Sequence, residues 1–194
     1  PDDLAGFLRR FPQVSVTLEE HTSPEIALAV ARGEVEVGVM AEEAEGVDVE
    51  LLPYRADRLV LIAPLEHPLA AAASASFAEV LAQPFVMLHA GSAIHTFTMN
   101  AAAALGRHLD VRIQVRSFEA VCRMVAAGVG VGMVPRSAVA GRPLQPPLAI
   151  VALEEAWAQR DLKVCIRRRE GLSTFAADLV AGLTGVGSSG GIAQ

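Results

Sequence analysis

Apolar positions along this chain switch repeatedly between a spacing of two and a spacing of three or four, as alternating strands and helices do. Leu4, Phe7, Leu8 and Phe11 share one helix face, and Pro12 stops that helix. Val14, Val16 and Leu18 alternate with Ser15, Thr17 and Glu19, a strand pattern. Ser23 reads as the N-cap of a helix with Pro24 and Glu25 in its first turn and Gly33 at its end. Val35 to Met40 is the next strand, and Glu42 to Glu50 an acidic, solvated loop. Leu59 to Ala63 is a continuous apolar run of the kind buried on both faces of a parallel sheet.

The second half repeats the alternation. Ser76 to Glu79 fits a capping box, Phe85 to Leu88 a strand, and Ser92 caps a helix that runs to about Leu105 and closes at Gly106. Val111 to Arg116 is a strand, and Ser117 caps a helix through Ala127 with Gly128 at its end. Strands follow at Gly130 to Val134, Leu148 to Val151 and Leu162 to Ile166, then a last helix from near Ser173. Gly185 to Gln194, rich in glycine and serine, reads as a loose tail. The expectation is an α/β protein with mainly parallel sheets. One feature is unusual: the chain opens on a helix, where a βαβ series normally begins with a central strand.

Composition narrows the function classes. The 194 residues suffice for one domain or two small lobes, with no need of disulfides or a structural metal. With 16 basic and 22 acidic residues the formal net charge is −6, and Lys163 is the lone lysine, a poor balance for non-specific nucleic-acid binding. Cys122 and Cys165 both sit in apolar runs, as small core residues do. No apolar run approaches a membrane span and no secretory signal pattern opens the sequence, so a cytoplasmic protein with no membrane partner is expected.

The most informative chemical pattern is three helix starts placed just after strands: Thr22-Ser23-Pro24, Gly91-Ser92-Ala93 and Arg116-Ser117-Phe118. In open parallel sheets ligands bind beyond the carboxyl ends of strands. Helix N-termini there offer free N–H groups and the positive end of a dipole to a carboxylate or phosphate. For each serine taken alone, capping its own helix is explanation enough. Gly128, Gly130 and Gly132 follow a helix and precede a strand, the reverse of a dinucleotide fingerprint, so they fit a helix end and close strand packing instead. His89 and His95 flank the Gly91-Ser92 turn, but the five histidines never recur at metal-site spacing. No G-x-S-x-G elbow supplies a nucleophile. Arg167, Arg168 and Arg169 read as a solvated strand end. No catalytic residue, metal or cofactor is expected, and the protein is not an enzyme on this reading.

Taken in order, these pieces resemble the effector-binding domain of LysR-type transcriptional regulators. The resemblance rests on Phe7-Leu8-Arg9-Arg10-Phe11-Pro12 followed by Val14 to Leu18, and on Ala29 to Val39, which is similar to the family's L-x-x-G-x-L-D-x-A-I stretch. It rests further on Leu59 to Pro64 leading to His67-Pro68-Leu69-Ala70, on Ser117-Phe118-Glu119-Ala120 and on Val125 to Arg136. It covers about residues 4–184. It implies two Rossmann-like lobes of the type 2 periplasmic-binding-protein fold joined by two crossing strands, lobe one being 1–62 plus 167–194 and lobe two 63–166. The crossings then fall in Leu59–Pro64 and Leu162–Arg167. The implied effector, a small anion, binds between the lobes, with Thr22 and Ser23 from lobe one, Ser92, Ala93, Ile94 and His95 from lobe two, and Ser117 and Phe118 on the floor. The family's winged helix-turn-helix reader, linker helix and first strand have no counterpart in this sequence, so the resemblance implies DNA binding only through a domain outside it. A homodimer or tetramer, with the opening helix against a partner's lobe two, is also implied. A transport solute-binding protein shares the fold and stands as the alternative.

Overall fold

A computed structural model describes residues 2–41, 46–140 and 146–185. The chain forms two compact units, residues 1–55 with 161–194 and residues 56–160. The sequence places the divisions at 62/63 and 166/167; the compact units divide at 55/56 and 160/161, on the same two strands.

Unit 1 is built on a small sheet with a helix on each face. Helix α1 (Asp2–Arg10) ends before Pro12, and α2 (Ser23–Arg32) precedes β1 (Val37–Met40). Strand β1 pairs antiparallel with the end of β8 (Gln159–Ile166), Val37 opposite Ile166 and Met40 opposite Lys163, and β8 lies beside β2 (Glu50–Pro64). Strand alternation sends successive side chains to opposite faces. Cys165 and Met40 therefore pack under Ala27 and Val30 of α2. Val164 and Ile166 pack with Leu52 against Val180 of α7 (Thr174–Thr184) on the other face. Helix α1 lies on α7, where Phe11 meets Phe7 at 5.1 Å and Phe175 at 5.4 Å between ring centroids.

Unit 2 holds the larger core. The second part of β2 pairs antiparallel with β6 (Val131–Pro135), and β6 runs parallel to β4 (Pro84–Leu88), which in turn runs parallel to β5 (Asp110–Val115). On its other edge β2 pairs antiparallel with β7 (Leu148–Leu153), which carries the short β3 (Ser74–Ala75) in parallel. Helices α3 (Phe77–Val80), α4 (Ala93–Ala104), α5 (Phe118–Ala126) and α6 (Arg136–Val139) connect these strands. Leu59 to Ala63, the apolar run of β2, is wholly buried among Phe77, Phe85, Val121 and Val134. Each such side chain contributes about 1.5–3 kcal/mol by leaving water. Trp157 is wedged edge-on between Phe77 and Phe97, with centroids at 5.2 and 5.3 Å.

Three expectations are corrected. Val14 to Leu18 forms no strand: the segment is extended but pairs with no strand among the described residues, and Leu18 is 82% exposed. Alternation fits a pleat, but only a neighbouring ladder makes a strand. The sheets are mixed rather than mainly parallel, because β2 runs antiparallel to β6 and β7, and β8 antiparallel to β1. Local hydropathy carries no record of strand direction. Ser23 is the first helical residue of α2, not its cap. Strand β2 begins at Glu50, well before the predicted Leu59, and β3 and α6 have no counterpart in the sequence reading; the other elements lie within a few residues of their predicted bounds, while residues 42–45 of the predicted acidic loop and the predicted tail beyond residue 185 lie outside the described residues.

Gly130 shows why glycines cluster before β6. A Cβ built there would lie 2.2 Å from the Pro84 carbonyl oxygen, so only a bare backbone lets this turn approach β4. Gly130→Ala is expected to cost about 1–3 kcal/mol of stability, read as a lower urea midpoint with an unchanged slope. An unchanged midpoint would show that the two strands have slack to part.

Candidate functional site

The three helix starts differ in what they offer a ligand. At α2 the cap is Thr22, in extended conformation, three residues before Glu25. The Thr22 N–H donates to the Glu25 carboxylate at 2.8 Å and its hydroxyl donates to the same oxygen at 2.7 Å. Those two bonds, the hydroxyl's first, hold the Glu25 carboxyl below the usual carboxylate range. The bonds therefore persist at neutral pH and are lost as pH falls through that lowered value. Helix α2 thus brings its own anion to its positive end, and its pull on a second anion is correspondingly weaker.

Helix α4 carries no acidic residue in its first turn. Gly91, at φ +94°, turns the chain from β4 into the helix, a conformation L side chains rarely adopt. Ser92 caps the helix in extended conformation, and its hydroxyl oxygen accepts the His95 N–H at 3.2 Å. Ser92 is only 2% exposed. The N–H groups of Ala93 and Ile94, the first two of α4, meet no acceptor among the described residues. Orphan donors of this kind are what a helix start offers an anion.

Ser117 caps α5 through the Ala120 N–H at 3.2 Å. Its first turn contains Glu119, paired with Arg123 at 2.7 Å. The sheet brings the α4 and α5 starts to the same end. Strands β4 and β5 run parallel with Leu88 opposite Val115, and the His89 N–H continues the ladder to the Val115 carbonyl at 2.8 Å. Ser92, Ala93, Ile94, His95, Ser117 and Phe118 therefore all stand at the carboxyl ends of these two strands in unit 2. Phe118 is half-buried against the core. Thr22 and Ser23 belong to unit 1.

One contributor escapes the sequence reading, and Glu25 is read there only as a first-turn residue. Gln114 accepts the Ala90 N–H at 3.3 Å and lies 3.5 Å from the His95 ring, so it steadies the turn that carries Ser92. Its outward place on an alternating strand looks like ordinary solvent exposure. Glu25 was visible as the last residue of Thr-x-x-Glu, the capping-box signature, which outranks a serine one position later.

The other chemistry-bearing residues have structural roles. Burial raises the thiols of Cys122 and Cys165 above their ordinary range, the reverse of nucleophile activation. No group of three or more His, Cys, Asp or Glu side chains among the described residues is placed to hold a metal ion. His67 caps a short turn by accepting the Leu69 N–H at 3.2 Å. Arg168 and Arg169 pair with Asp48 and Glu50 at the exposed end of β8. A groove in unit 1, lined by Ala31, Asp48, Arg167, Arg168, Glu170 and Gly171, contains none of the predicted site residues.

Comparison with known proteins agrees with this architecture. The chain matches the LysR substrate binding domain family over residues 1–186. A probable RuBisCO transcriptional regulator of Cyanophora paradoxa is 33% identical over 140 residues, 69% of this chain and 43% of that protein. One from Emiliania huxleyi is 27% identical over 82% of this chain and 53% of its own length. The chain thus spans about half the length of the curated relatives it matches. Among solved structures, the regulatory domain of Synechocystis CcmR in complex with 2-PG superposes with a TM-score of 0.79 at 22% identity, covering 97% of this chain and 91% of that one. The effector binding domain of QuiR in complex with shikimate gives 0.69 at 14%, covering 96% and 89%. The fold is that of the LysR effector-binding domains, and the chain belongs to the LysR substrate binding domain family.

Proposed function

We propose that this chain senses a small anionic metabolite for a transcription regulator and passes its binding on to a DNA-bound homodimer or tetramer. The observation that carries the reading is the start of α4, a buried serine with two unpaired N–H groups and no acidic neighbour in the helix's first turn. Two fold neighbours were solved with 2-PG and with shikimate, and shikimate carries a carboxylate. In this reading the anion meets Ser92, Ala93 and Ile94, while His95, Ser117 and Phe118 complete the lobe-two wall. Thr22 and Ser23, in unit 1, are proposed as further ligand contacts, and Glu25 makes the α2 start the weaker anion site of the two. DNA contact belongs to parts of the regulator outside these residues, and the protein works in the cytoplasm. Among the described residues no helix is long and apolar enough to cross a membrane. The relatives are regulators rather than transport proteins, which favours a sensor over a solute carrier.

Calorimetric titration with 2-PG and with shikimate tests the site. Loss of one bond to a charged ligand weakens binding by about 1.5–3 kcal/mol, roughly ten- to a hundred-fold. Loss of a cap alone costs about 1 kcal/mol of stability and leaves affinity nearly unchanged. Ser92→Ala is expected to show the first effect on whichever compound binds, and Thr22→Ala a smaller one. A Ser92→Ala variant that binds like the parent and merely melts earlier makes Ser92 a cap and moves the ligand elsewhere.

The dimer is carried by α1, whose Leu4, Phe7 and Leu8 stay half-buried after α1 packs on α7. Sedimentation at tens of micromolar, the range of weak association, should show a dimer that Leu8→Glu shifts toward monomer. A parent that stays monomeric there would count against it. The same reading expects no turnover of ester, phosphate or nicotinamide substrates, and turnover abolished by His95→Ala would overturn it.

A further inference from the structure

Helix α4 differs from α2 and α3 in the work its third residue does. In those two helices a glutamate accepts the cap residue's N–H, Thr22 to Glu25 at 2.8 Å and Ser76 to Glu79 at 3.0 Å. At α4 the Ser92 N–H goes instead to the His89 carbonyl at 3.2 Å. The His95 ring is left to meet β5, where its Nε2 lies 3.5 Å from the amide nitrogen of Gln114.

The backbone decides which way that amide faces. Gln114 Oε1 accepts the Ala90 N–H at 3.3 Å. Turning the amide over would set its NH2 against a backbone N–H, two donors with no acceptor between them. The ladder fixes the surroundings, with Met87 opposite Gln114 and the His89 N–H on the Val115 carbonyl. An amide nitrogen only donates, so the His95 Nε2 that faces it accepts and carries no proton. A neutral ring then holds its proton on Nδ1. His21 pairs with Glu19, but among the described residues no carboxylate pairs with His95. The same logic fixes His67 the other way: its Nδ1 accepts the Leu69 N–H at 3.2 Å, which puts the proton on Nε2, 3.2 Å from Gln83 Oε1.

We propose that Gln114 is a positioning residue of the α4 site: it fixes His95 as the neutral tautomer protonated at Nδ1, so that the ring offers an anion a donor and not a lone pair. Free histidine favours the proton on Nε2. In that form Nδ1, the ring nitrogen nearer the backbone, is an acceptor and repels an anionic oxygen. Held as a donor, the ring selects carboxylate or phosphoryl oxygens, which only accept, over an amine. The tautomer stands on the hydrogen bonds alone, while its use in selecting an anion rests on the sensor reading.

Long-range proton–nitrogen spectra of the 15N-labelled chain test the tautomer. They read both ring nitrogens of each histidine in ligand-free protein at about pH 8, above the ordinary histidine value of about 6.5. His95 and His67 are identified by the signals lost in His95→Gln and His67→Gln. The parent should show His95 protonated at Nδ1 and His67 at Nε2. Gln114→Glu, whose carboxylate only accepts, should move the His95 proton to Nε2. Gln114→Ala should return His95 to the mixture of free histidine, with His67 unmoved and circular dichroism native. Should Gln114→Glu fail to fold, Gln114→Ala decides. A parent His95 protonated at Nε2, or a tautomer that neither substitution alters, would overturn the proposal. Calorimetry reads the consequence: Gln114→Ala should weaken whichever of 2-PG and shikimate binds the parent by about ten-fold. Equal binding by parent and variant would overturn the role at the site and leave Gln114 a turn residue. A parent that binds neither compound counts against the sensor reading instead, and the ring spectra, which need no ligand, still decide the tautomer.

Discussion

Strand β2 is fifteen residues long and serves the cores of two units, and that double duty constrains the rest of the molecule. A strand apolar along its whole length would demand cover on both faces throughout, and the cores would run together. The sequence of β2 changes character midway instead. Leu51 and Leu52 feed the unit 1 core, Leu59 to Ala63 are buried in unit 2, and Tyr54 to Arg58 between them are mostly polar. Strand β8 is built in the same way, with Arg160 and Asp161 on one side and Val164 to Ile166 buried on the other. Each polar interval falls where the compact units divide.

Helix starts are the second recurring device. Ser76, Ser92, Ser117 and Ser173 each accept a backbone N–H three residues on. Ser76 and Thr22 are further matched by Glu79 and Glu25, whose carboxyls their partners hold below the ordinary range. The same local chemistry therefore has two outcomes. Where a glutamate occupies the third helical position, the positive end of the helix is answered from within. Where that position is His95 or Ala120, the answer must come from a neighbouring side chain, from water or from a ligand.

Much of this was legible in the sequence because capping and helix periodicity are local. A serine, two residues and a donor suffice to place a helix start, and Gly33, Gly128 and Gly185 mark helix ends with positive φ. What escaped was non-local. Val14 to Leu18 has the alternation of a strand, yet only a hydrogen-bonded neighbour would make it one. Strand direction left no trace in hydropathy, so the antiparallel partners of β2 went unseen. Ser23 lost the cap to Thr22 through a bond to Glu25 that ranks a pattern over a single residue. Asp57 and Arg160 form an ion pair although they are 103 positions apart, and nothing along the chain joins them until the fold does.

The α4 start follows from the same rules by subtraction. Unit 2 gives α4 a glycine turn, a buried cap and a sheet neighbour, Gln114, that steadies the loop, but it gives the first turn no carboxylate. Two donors are left unanswered beside a serine that is almost wholly buried. An acid at the third helical position, as in α2 and α3, accepts the cap residue's N–H and sets a negative charge at the positive end of the helix. With His95 in that position the first turn of α4 carries no anion of its own, and this difference from α2 and α3 is the observation on which the proposed anion site in unit 2 rests.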